Sequence, residues 1–452
     1  MLDFYDLIDR KIFFRDPGVN VMGENVFTIL VGKNGSGKSQ LLRSVLLSLV
    51  GDSLLVGVNL QERFKESVSP SKFVFSGRPK SVIASSVSPF DKFPISKSKN
   101  RAGYYRYLGL KGLSSMNLGA GFMSRTISSL VDVLVSCPER FGVVGKIFDY
   151  LNYDFYLRSR VQLDIPLEEV QVILGSGSSH DAFFSALRSR YGSVEFSQSN
   201  RFNYSEDEVE SIISALSHVL AQRGERRKGN VKFDFFLTKD GVFLESGPID
   251  GSTLILLRSG LLVSKEISLS KKGVGKPFHI KDASSGEQSV LLSLLGIASH
   301  IVDGSLVLID EPEICLHPEW QERYIELLVG LFSSFVDCHF IIATHSPQIV
   351  SGVGDRNCYV LDVQSGEMNS AASFNKRSAD FQLANLFSAP GYKNEYLSRE
   401  VIGVLMALSR REELSPQRRE SVEKMVRLLP LINSDDPNFK LISMLADVME
   451  SS

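Results

Sequence analysis

The chain contains 452 residues, of which 43% are hydrophobic and 23% are charged, and its formal net charge is −2. These proportions are ordinary for a globular protein with a sizeable core, and the near-zero charge excludes a general basic field for nucleic acid. A nucleic-acid site would therefore have to be a local patch. No apolar run reaches the length of a membrane span, and the amino terminus lacks the features of a signal peptide, so we expect a cytoplasmic protein with no membrane contact.

The first predicted elements surround a glycine-rich loop. An apolar run at residues 26–31 precedes the sequence GKNGSGKS at residues 32–39, and a helical run follows. This order matches the phosphate-binding loop at every fixed position and disfavours a chance glycine-rich turn. Backbone N–H groups around Gly35 would surround phosphate oxygens, Lys38 would reach the β- and γ-phosphates, and the Ser39 hydroxyl would bind Mg²⁺. The predicted ATP-binding residues of this loop are Asn34, Gly35, Ser36, Gly37, Lys38, Ser39 and Gln40.

The long middle of the chain has mixed signals. A capping box at Ser205 predicts a helix to about residue 222, residues 128–135 and 181–191 also fit helices, and the turn around Asp240 predicts a short hairpin. No sustained heptad pattern is present, which argues against long coiled-coil arms. We therefore expect a compact, mostly helical lid inserted into the domain that carries the phosphate loop.

A stretch of this insert combines cations with aromatic residues. Residues 91–111 contain Lys97, Lys99 and Arg101, together with Tyr104 and further tyrosines. Cations that neutralise phosphates beside rings that stack on bases would suit DNA or RNA. The alternative, a solvated loop beside the nucleotide site, remains open and is the more common use of such a stretch.

A second set of motifs begins about 245 residues after the phosphate loop. Residues 284–288 read SSGEQ, and the apolar strand 305–309 is followed by Asp310 and Glu311. An acid at the carboxyl end of a strand faces the ligand edge of an open α/β sheet. We expect Asp310 to hold Mg²⁺ together with Ser39, and Glu311 to act as the general base on the attacking water. The alternative for Glu311 is a purely structural role at the strand end.

The phosphate loop, the SSGEQ element and the acid pair, in this order, resemble the ABC-type ATPase superfamily. The resemblance implies an α/β head with a split P-loop sheet that closes on ATP and Mg²⁺ as a head-to-tail homodimer, or as part of a larger assembly. It implies that His345, after the next strand, contacts the γ-phosphate. It also implies that the SSGEQ element contacts the nucleotide of the partner subunit; the alternative is a simple helix cap. The residues of this element are Ser284, Ser285, Gly286 and Glu287.

This resemblance divides the chain into four predicted parts. They are an N-terminal lobe of the head at residues 1–80, an inserted lid at 81–277, a C-terminal lobe of the head at 278–374, and a helical tail at 375–452 that contacts a partner or the second subunit. The two lobes share one nucleotide site, because the phosphate loop lies in the first and the acids and His345 lie in the second.

A closer resemblance is carried by two longer stretches. Residues 310–321, DEPEICLHPEWQ, and residues 340–347, FIIATHSP, resemble the PtuA-type antiphage ATPases of Septu systems and retrons, which are related to the overcoming-lysogenization-defect nucleases. This resemblance implies a slow or regulated ATPase that senses infection and controls a separate, PtuB-like HNH nuclease. In retrons it also implies a DNA–RNA hybrid. The alternative is a DNA-repair or chromosome-maintenance ATPase of the same superfamily.

Two features depart from the superfamily pattern. The strand at residues 81–86 is not followed by the usual glutamine, and Asp91, Ser88 or the more distant Gln61 are the candidate substitutes. The aromatic residue that would stack on adenine is not fixed by a motif either. Phe13 and Phe14 lie at a plausible distance before the phosphate loop, although packing in the core is the expected use of at least one of them.

Overall fold

The fold is known from a computed structural model, which describes residues 1–6, 11–19, 21–51, 55–56, 73–96, 103–111, 118–176, 179–191, 204–223, 231–354, 356–410 and 412–450. In chain order the strands are β1 (Leu2–Asp6), β2 (Lys11–Phe13), β3 (Val26–Val31), β4 (Leu55–Val56), β5 (Phe73–Phe75), β6 (Ser81–Ser86), β7 (Ile95–Ser96), β8 (Tyr105–Leu108), β9 (Tyr153–Leu163), β10 (Lys232–Thr238), β11 (Gly241–Leu244), β12 (Gly247–Pro248), β13 (Leu262–Lys271), β14 (Pro277–His279), β15 (Ser305–Asp310), β16 (His339–Ala343), β17 (Cys358–Asp362) and β18 (Met368–Ser370).

The helices are α1 (Lys38–Leu49), α2 (Leu118–Ser136), α3 (Phe141–Tyr150), α4 (Leu167–Gly175), α5 (Ser179–Tyr191), α6 (Glu206–Arg223), α7 (Gly251–Arg258), α8 (Ser285–His300), α9 (Pro318–Leu331), α10 (Pro347–Ser351), α11 (Ala379–Asn385), α12 (Glu395–Ser409), α13 (Pro416–Arg427) and α14 (Pro437–Glu450). Short 3-10 turns occur at Pro138–Arg140, Ile280–Asp282, Ala371–Ser373 and Leu429–Leu431. Among these described helices, none has both the length and the apolar character needed to cross a bilayer.

A seven-stranded sheet organises the head, in the order β18-β17-β3-β16-β15-β6-β8. The strands from β17 to β8 are parallel, and β18 is antiparallel at one edge. Strand β16 lies between β3, which precedes the phosphate loop, and β15, which carries the acids. Because parallel strands end at the same edge, the sheet collects the phosphate loop, the acid pair and the loop with His345 at one place.

The sequences of these strands explain why they are central. Strands β3, β6, β15 and β16 are buried at every position, as expected for a parallel sheet that is covered on both faces. Side chains on one face, such as Ile29, pack into the core shared with the insert. Side chains on the other face, such as Leu30, pack against α1 and the small antiparallel sheet β2-β1-β5. The predicted α/β head with a split P-loop sheet is confirmed.

The insert contains a second sheet that the prediction of a mostly helical lid omitted. Six antiparallel strands pair in the order β12-β11-β10-β9-β13-β14, and α2 and α3 pack between this sheet and α8 of the head. The predicted hairpin is confirmed, with Thr238 opposite Gly241, and so is the capping box of α6 at Ser205. The sheet was missed because β9 pairs with β10 and β13, which lie far from it in the sequence, and local patterns do not show such pairing.

The predicted boundary between head and insert at residue 81 is wrong. Strands β6 and β8 both belong to the seven-stranded sheet, where Ser86 lies beside Asp310 in the parallel register. The head sheet therefore includes residues up to Leu108, and the insert begins after β8, which is an edge strand of that sheet. The physical reason is that the apolar run of β6 can be buried only inside a sheet with two covered faces.

The helical tail has a small core of its own, built by α11 to α14. Helix α13 begins at Pro416, with Ser415 accepting a hydrogen bond from the Arg418 N–H, so the predicted Ser–Pro helix start is confirmed. At the next predicted start, the buried carboxylate of Asp436 accepts hydrogen bonds from the N–H groups of Lys393 and Asn438. This contact fixes the start of α14 against the start of α12.

Candidate nucleotide-binding site

The phosphate loop has the backbone conformation that its glycines predict. Gly35 and Gly37 have φ angles of 78° and 92°, in the left-handed region that residues with a Cβ atom avoid. Gly37 immediately precedes α1, so the free N–H groups of the first helical turn face the loop. Gly32 is constrained as well, because a Cβ atom there would lie 2.9 Å from the Ser36 hydroxyl. The loop thus presents N–H groups and the positive end of a helix to one cleft.

Lys38 is buried beneath this loop. Its Nζ donates to the carbonyl oxygens of Gly32 at 2.8 Å and Lys33 at 3.2 Å, and it lies 3.2 Å from Nδ1 of His345. Burial lowers the pKa of Lys38 to about 8, although the nearby carboxylates of Glu313 and Glu311 act in the opposite direction. A buried ammonium group with only neutral direct partners would gain from an anionic ligand.

The Ser36 hydroxyl provides an independent test of whether a phosphate fits. Its oxygen is buried and, within the described part of the chain, has no hydrogen-bond partner. Buried polar atoms are normally paired, so an unpaired hydroxyl inside a phosphate loop marks a place for a ligand oxygen. Asn34 and Gly35 are exposed at the mouth of the same cleft, whose other lining residues are Glu311, Glu313, Ile314 and His345. The residues present fit a nucleoside triphosphate.

Ser39, in the first turn of α1, contacts Asp310 at the end of β15. The Ser39 hydroxyl donates to Oδ1 of Asp310 at 3.0 Å. Burial raises the pKa of Asp310 to about 7, with further contributions from the carboxylates of Glu311 and Asp91, while the hydrogen bond from Ser39 works against this shift. A hydroxyl and a carboxylate side by side are oxygen ligands of the kind that Mg²⁺ takes, and a divalent cation would stabilise the ionised form of Asp310.

Glu311 lies at the turn that leaves β15. Its backbone has a φ angle of 51°, and its N–H donates to the Ala343 carbonyl oxygen at 2.9 Å. The side chain is about one-third exposed, and its Oε1 lies 3.7 Å from Nε2 of His345. Residues with a Cβ atom rarely adopt this backbone conformation, so the turn is held at a cost in strain, and it leaves the Glu311 side chain lining the cleft.

His345 is held in one tautomer by its neighbours. Since Nδ1 faces the ammonium group of Lys38, it acts as the acceptor, and Nε2 carries the proton. Burial and, second, the charge of Lys38 lower the pKa of His345 to about 4. The imidazole is therefore neutral at physiological pH and directs an N–H group toward Glu311 and the cleft.

Glu313 is a site residue that the sequence analysis did not single out. One carboxylate oxygen accepts a hydrogen bond from the Thr344 hydroxyl at 2.9 Å, and the other accepts one from the backbone N–H of His345. Burial raises its pKa. Glu313 thus ties the loop after β15 to the loop after β16. The available signal was a third acid two positions after Glu311, within the same short stretch.

The SSGEQ element lies at the start of α8, where Ser284 is the N-cap and forms a reciprocal capping box with Glu287. Ser284 and Ser285 are exposed, and Gly286 passes close to the Cys315 carbonyl oxygen, which would lie 2.7 Å from a Cβ atom there. The predicted site residues therefore form two groups. Residues 34–39, Asp310, Glu311 and His345 meet at one cleft, with the half-buried Gln40 following in α1, whereas residues 284–287 form a helix start at which Ser284 and Ser285 are exposed.

The candidates for the missing glutamine and for the adenine contact are partly resolved. Both carboxylate oxygens of Asp91 are engaged. One accepts a hydrogen bond from the Tyr107 hydroxyl at 2.6 Å, and the other contacts the Phe93 N–H at 2.9 Å and the Lys111 ammonium group at 3.0 Å. Ser88 is buried.

Of the two candidates for the adenine contact, Phe14 is fully buried in the core, whereas Phe13 is half-exposed and lies against Phe4. Gln61 and the cationic residues Lys97, Lys99 and Arg101 lie outside the described residues.

Comparison with known proteins finds similarity to probable ATPases. Residues 180–351 match the family model described as "AAA domain, putative AbiEii toxin, Type IV TA system", which covers less than half of the chain. The chain is 23% identical over 362 residues to the Retron Vc95 probable ATPase of Vibrio cholerae serotype O1 biovar El Tor, covering 74% of this chain and 68% of that protein. It is 34% identical over 89 residues to the Retron Ec83 probable ATPase of Escherichia coli, covering 17% of this chain and 16% of that protein.

Solved structures give weaker similarities. A nucleotide-free ATP-binding cassette from an ABC transporter superposes with a TM-score of 0.26 at 12% identity, covering 80% of this chain and 87% of that one. An Smc head domain from Pyrococcus furiosus, bound to the C-terminal domain of ScpA, superposes with a TM-score of 0.27 at 11% identity, covering 77% and 91%. These superpositions are too weak to carry a conclusion. The P-loop fold rests on the sheet order and the loop geometry described above.

Proposed function

We propose that this chain hydrolyses ATP as a head-to-tail pair, in which each cleft is completed by the SSGEQ element of the second copy. The observation that carries the proposal is the division of the motifs. Lys38, Glu311 and His345 converge on one cleft, while Ser284 and Ser285 face outward at the start of a helix. The start of a helix is suited to binding an anion, and the resemblance to ABC-type ATPases implies that this anion is the nucleotide of another copy.

The proposed reaction is in-line attack of water on the γ-phosphate. Glu311 accepts the proton of that water, and the neutral His345 donates its Nε2–H to a γ-phosphate oxygen. Lys38 gives its ammonium group to the β- and γ-phosphate oxygens, exchanging carbonyl partners for charged ones. Mg²⁺ held by Ser39 and Asp310 would neutralise the developing charge on the phosphates. Glu313 keeps the two catalytic loops in register.

The pairing can be tested by replacing Ser285 with arginine. Ser285 is exposed, so the change leaves the fold intact, but a long cationic side chain would prevent close contact of the helix start with a second copy. We expect the Ser285→Arg protein to bind ATP normally and to lose ATP-dependent dimerisation, with hydrolysis falling about 100-fold or more. Sedimentation velocity with ATP and Mg²⁺ measures the dimer, and nucleotide titration measures binding.

A nearby exposed lysine provides the control for the Ser285→Arg variant. Lys281, three residues before Ser284, is exposed, and Lys281→Arg should dimerise like the parent protein. An ATP-dependent dimer of undiminished affinity in the Ser285→Arg protein would refute the head-to-tail arrangement.

The role of His345 gives a second test. Replacing it with alanine removes the Nε2–H donor and one contact of Lys38, and we expect turnover to fall about 100-fold, as when one preorganised transition-state donor is lost. His345→Gln keeps an N–H donor of similar reach and should recover part of the rate. Steady-state phosphate release at saturating ATP measures both variants. Equal rates for the alanine variant and the parent would remove His345 from the catalytic step.

The biological context of the proposal is bacterial defence. The relatives are named as retron ATPases, and the sequence resembles PtuA-type ATPases, so we place this chain as a regulated ATPase that controls a separate HNH nuclease. The test is whether a nuclease encoded next to this chain co-purifies with it, and whether DNA cleavage by that complex differs between the parent and the Glu311→Gln protein. Identical cleavage with and without ATP turnover would contradict the regulatory role.

A further inference from the structure

The SSGEQ helix follows the sheet of the insert closely in the chain. Strand β13 ends at Lys271, and only β14 and one 3-10 turn separate it from Ser284. Helices α2 and α3 of the insert pack against α8 itself. The element that would meet the nucleotide of a second copy thus belongs to the head and contacts the insert on one side.

One ion pair makes this attachment specific. Lys271 donates from Nζ to Oε1 of Glu287 at 2.9 Å. The other oxygen of Glu287 accepts hydrogen bonds from the backbone N–H of Ser284 at 2.9 Å and from its hydroxyl at 3.0 Å. Both carboxylate oxygens of Glu287 are therefore occupied, one by the insert and one by the first residue of the SSGEQ element.

The ammonium group of Lys271 is itself fixed by the sheet of the insert. It lies 5.8 Å from the ring centre of Tyr153 on β9 and 5.8 Å from that of Phe278 on β14. These two rings are 6.0 Å apart and partly shield the lysine, whose side chain is 41% exposed, whereas that of Glu287 is only 17% exposed. A cation beside aromatic rings and a carboxylate has less freedom than an isolated surface lysine.

This contact determines which groups of the SSGEQ element are available. The Ser284 hydroxyl accepts the N–H of Glu287 at 3.2 Å while it donates to the Glu287 carboxylate, so it is used inside the helix cap. The Ser285 hydroxyl is exposed and, within the described ranges, has no hydrogen-bond partner. Ser285 is therefore the residue presented outward, on a helix start that is held through Glu287.

We propose that Lys271 is the positioning residue through which the insert sets the SSGEQ element for the nucleotide bound by a second copy. The inference rests on the proposed head-to-tail ATPase and adds a route by which the insert regulates it. A shift of the six-stranded sheet against the head moves Lys271, which releases Glu287 and lets the helix start of α8 relax. The affinity of the ATP-dependent dimer then falls, while the cleft that binds ATP does not change.

The test uses Lys271→Met in the Glu311→Gln protein, so that ATP is bound but not consumed. Methionine keeps the apolar body of the side chain beside the two rings and removes the charge. We expect the ATP-dependent dimer to weaken about tenfold, which corresponds to about 1.4 kcal/mol per dimer, since each dimer contains two copies of the ion pair. ATP affinity, measured at protein concentrations below dimerisation, should change by less than about twofold.

The neighbouring lysine gives a matched control. Lys272 donates to the exposed carboxylate of Asp149 at 2.6 Å and has no contact with Glu287. Lys272→Met makes the same change of charge one residue away, and it should leave the dimer unaffected. Lys271→Arg keeps a cation that can bind Glu287, and it should restore most of the lost affinity, which a general packing defect would not allow.

The outcomes separate this inference from the function on which it rests. Equal dimer affinities for the Lys271→Met and Lys272→Met proteins would overturn the positioning role, as would a defect that Lys271→Arg does not repair. If Ser285→Arg still blocks dimerisation in that case, the head-to-tail ATPase stands and only the role of Lys271 falls. If the Glu311→Gln protein forms no dimer with ATP at all, both proposals fall.

Discussion

Replacing Glu311 with glutamine should stop ATP turnover while leaving ATP binding intact. Glutamine has the same shape and tolerates the backbone φ angle of 51° no worse than glutamate, but it cannot accept the proton of the attacking water. We expect phosphate release to fall about 1000-fold, within the range for loss of a general base. Because the nucleotide persists, the ATP-bound dimer should accumulate, and sedimentation velocity with ATP and Mg²⁺ should detect it.

A glutamate outside the cleft serves as the control for this variant. Glu319 is exposed in the first turn of α9, and Glu319→Gln removes the same charge from the same region. It should turn over ATP at close to the parent rate. Turnover within about tenfold of the parent in the Glu311→Gln protein would exclude Glu311 as the base and would shift attention to Glu313, the other carboxylate that lines the cleft.

Replacing Lys38 with alanine should abolish ATP binding without weakening the fold. Its ammonium group would form charge-assisted hydrogen bonds with phosphate oxygens, and the loss of about 3 kcal/mol of such contacts corresponds to more than a 100-fold drop in affinity. In the nucleotide-free protein the same group is buried at a cost, as its pKa of about 8 indicates. The midpoint of thermal unfolding without nucleotide should therefore not fall, and calorimetric titration with ATP measures the affinity.

The adjacent loop lysine tests the specificity of that effect. Lys33 contributes its backbone carbonyl oxygen to the Lys38 ammonium group, and an alanine at position 33 keeps that carbonyl. We expect Lys33→Ala to change ATP affinity by less than about fivefold, the effect of losing one half-exposed charge. Comparable losses in the two variants would show that a general positive charge, rather than the buried position of Lys38, binds the triphosphate.

The parts of the site that the sequence predicted are those in which one short motif dictates both conformation and chemistry. The phosphate loop needs left-handed glycines, and Gly35 and Gly37 adopt them. The pairing of Ser39 with Asp310 also follows from sequence, because two strand ends with the right side chains must meet at the same edge of a parallel sheet. Local sequence patterns and the geometry of a parallel sheet were sufficient to predict these two features.

The parts that the sequence did not predict depend on contacts between distant segments. Glu313 acquires its role only because the loop of His345 folds beside it, and Lys271 only because β13 ends next to Glu287. The position of Glu313 two residues after Glu311 marks it as a third acid of the same stretch, but it does not show which group the carboxylate contacts. The sheet of the insert was missed for a related reason, since β9 becomes recognisable as a strand only when β10 and β13 pair with it. Pairing between remote segments overrides local propensity.

The split head has a consequence for synthesis of the chain on the ribosome. Strand β3 is complete within the first 31 residues, but its sheet neighbours β16 and β17 are translated about 300 residues later. The strands of the insert are closer together in sequence and can pair earlier. A nascent or prematurely terminated polypeptide therefore carries an unpaired, mostly apolar strand and no ATP site, which makes it a substrate for chaperones and proteases until β17 emerges.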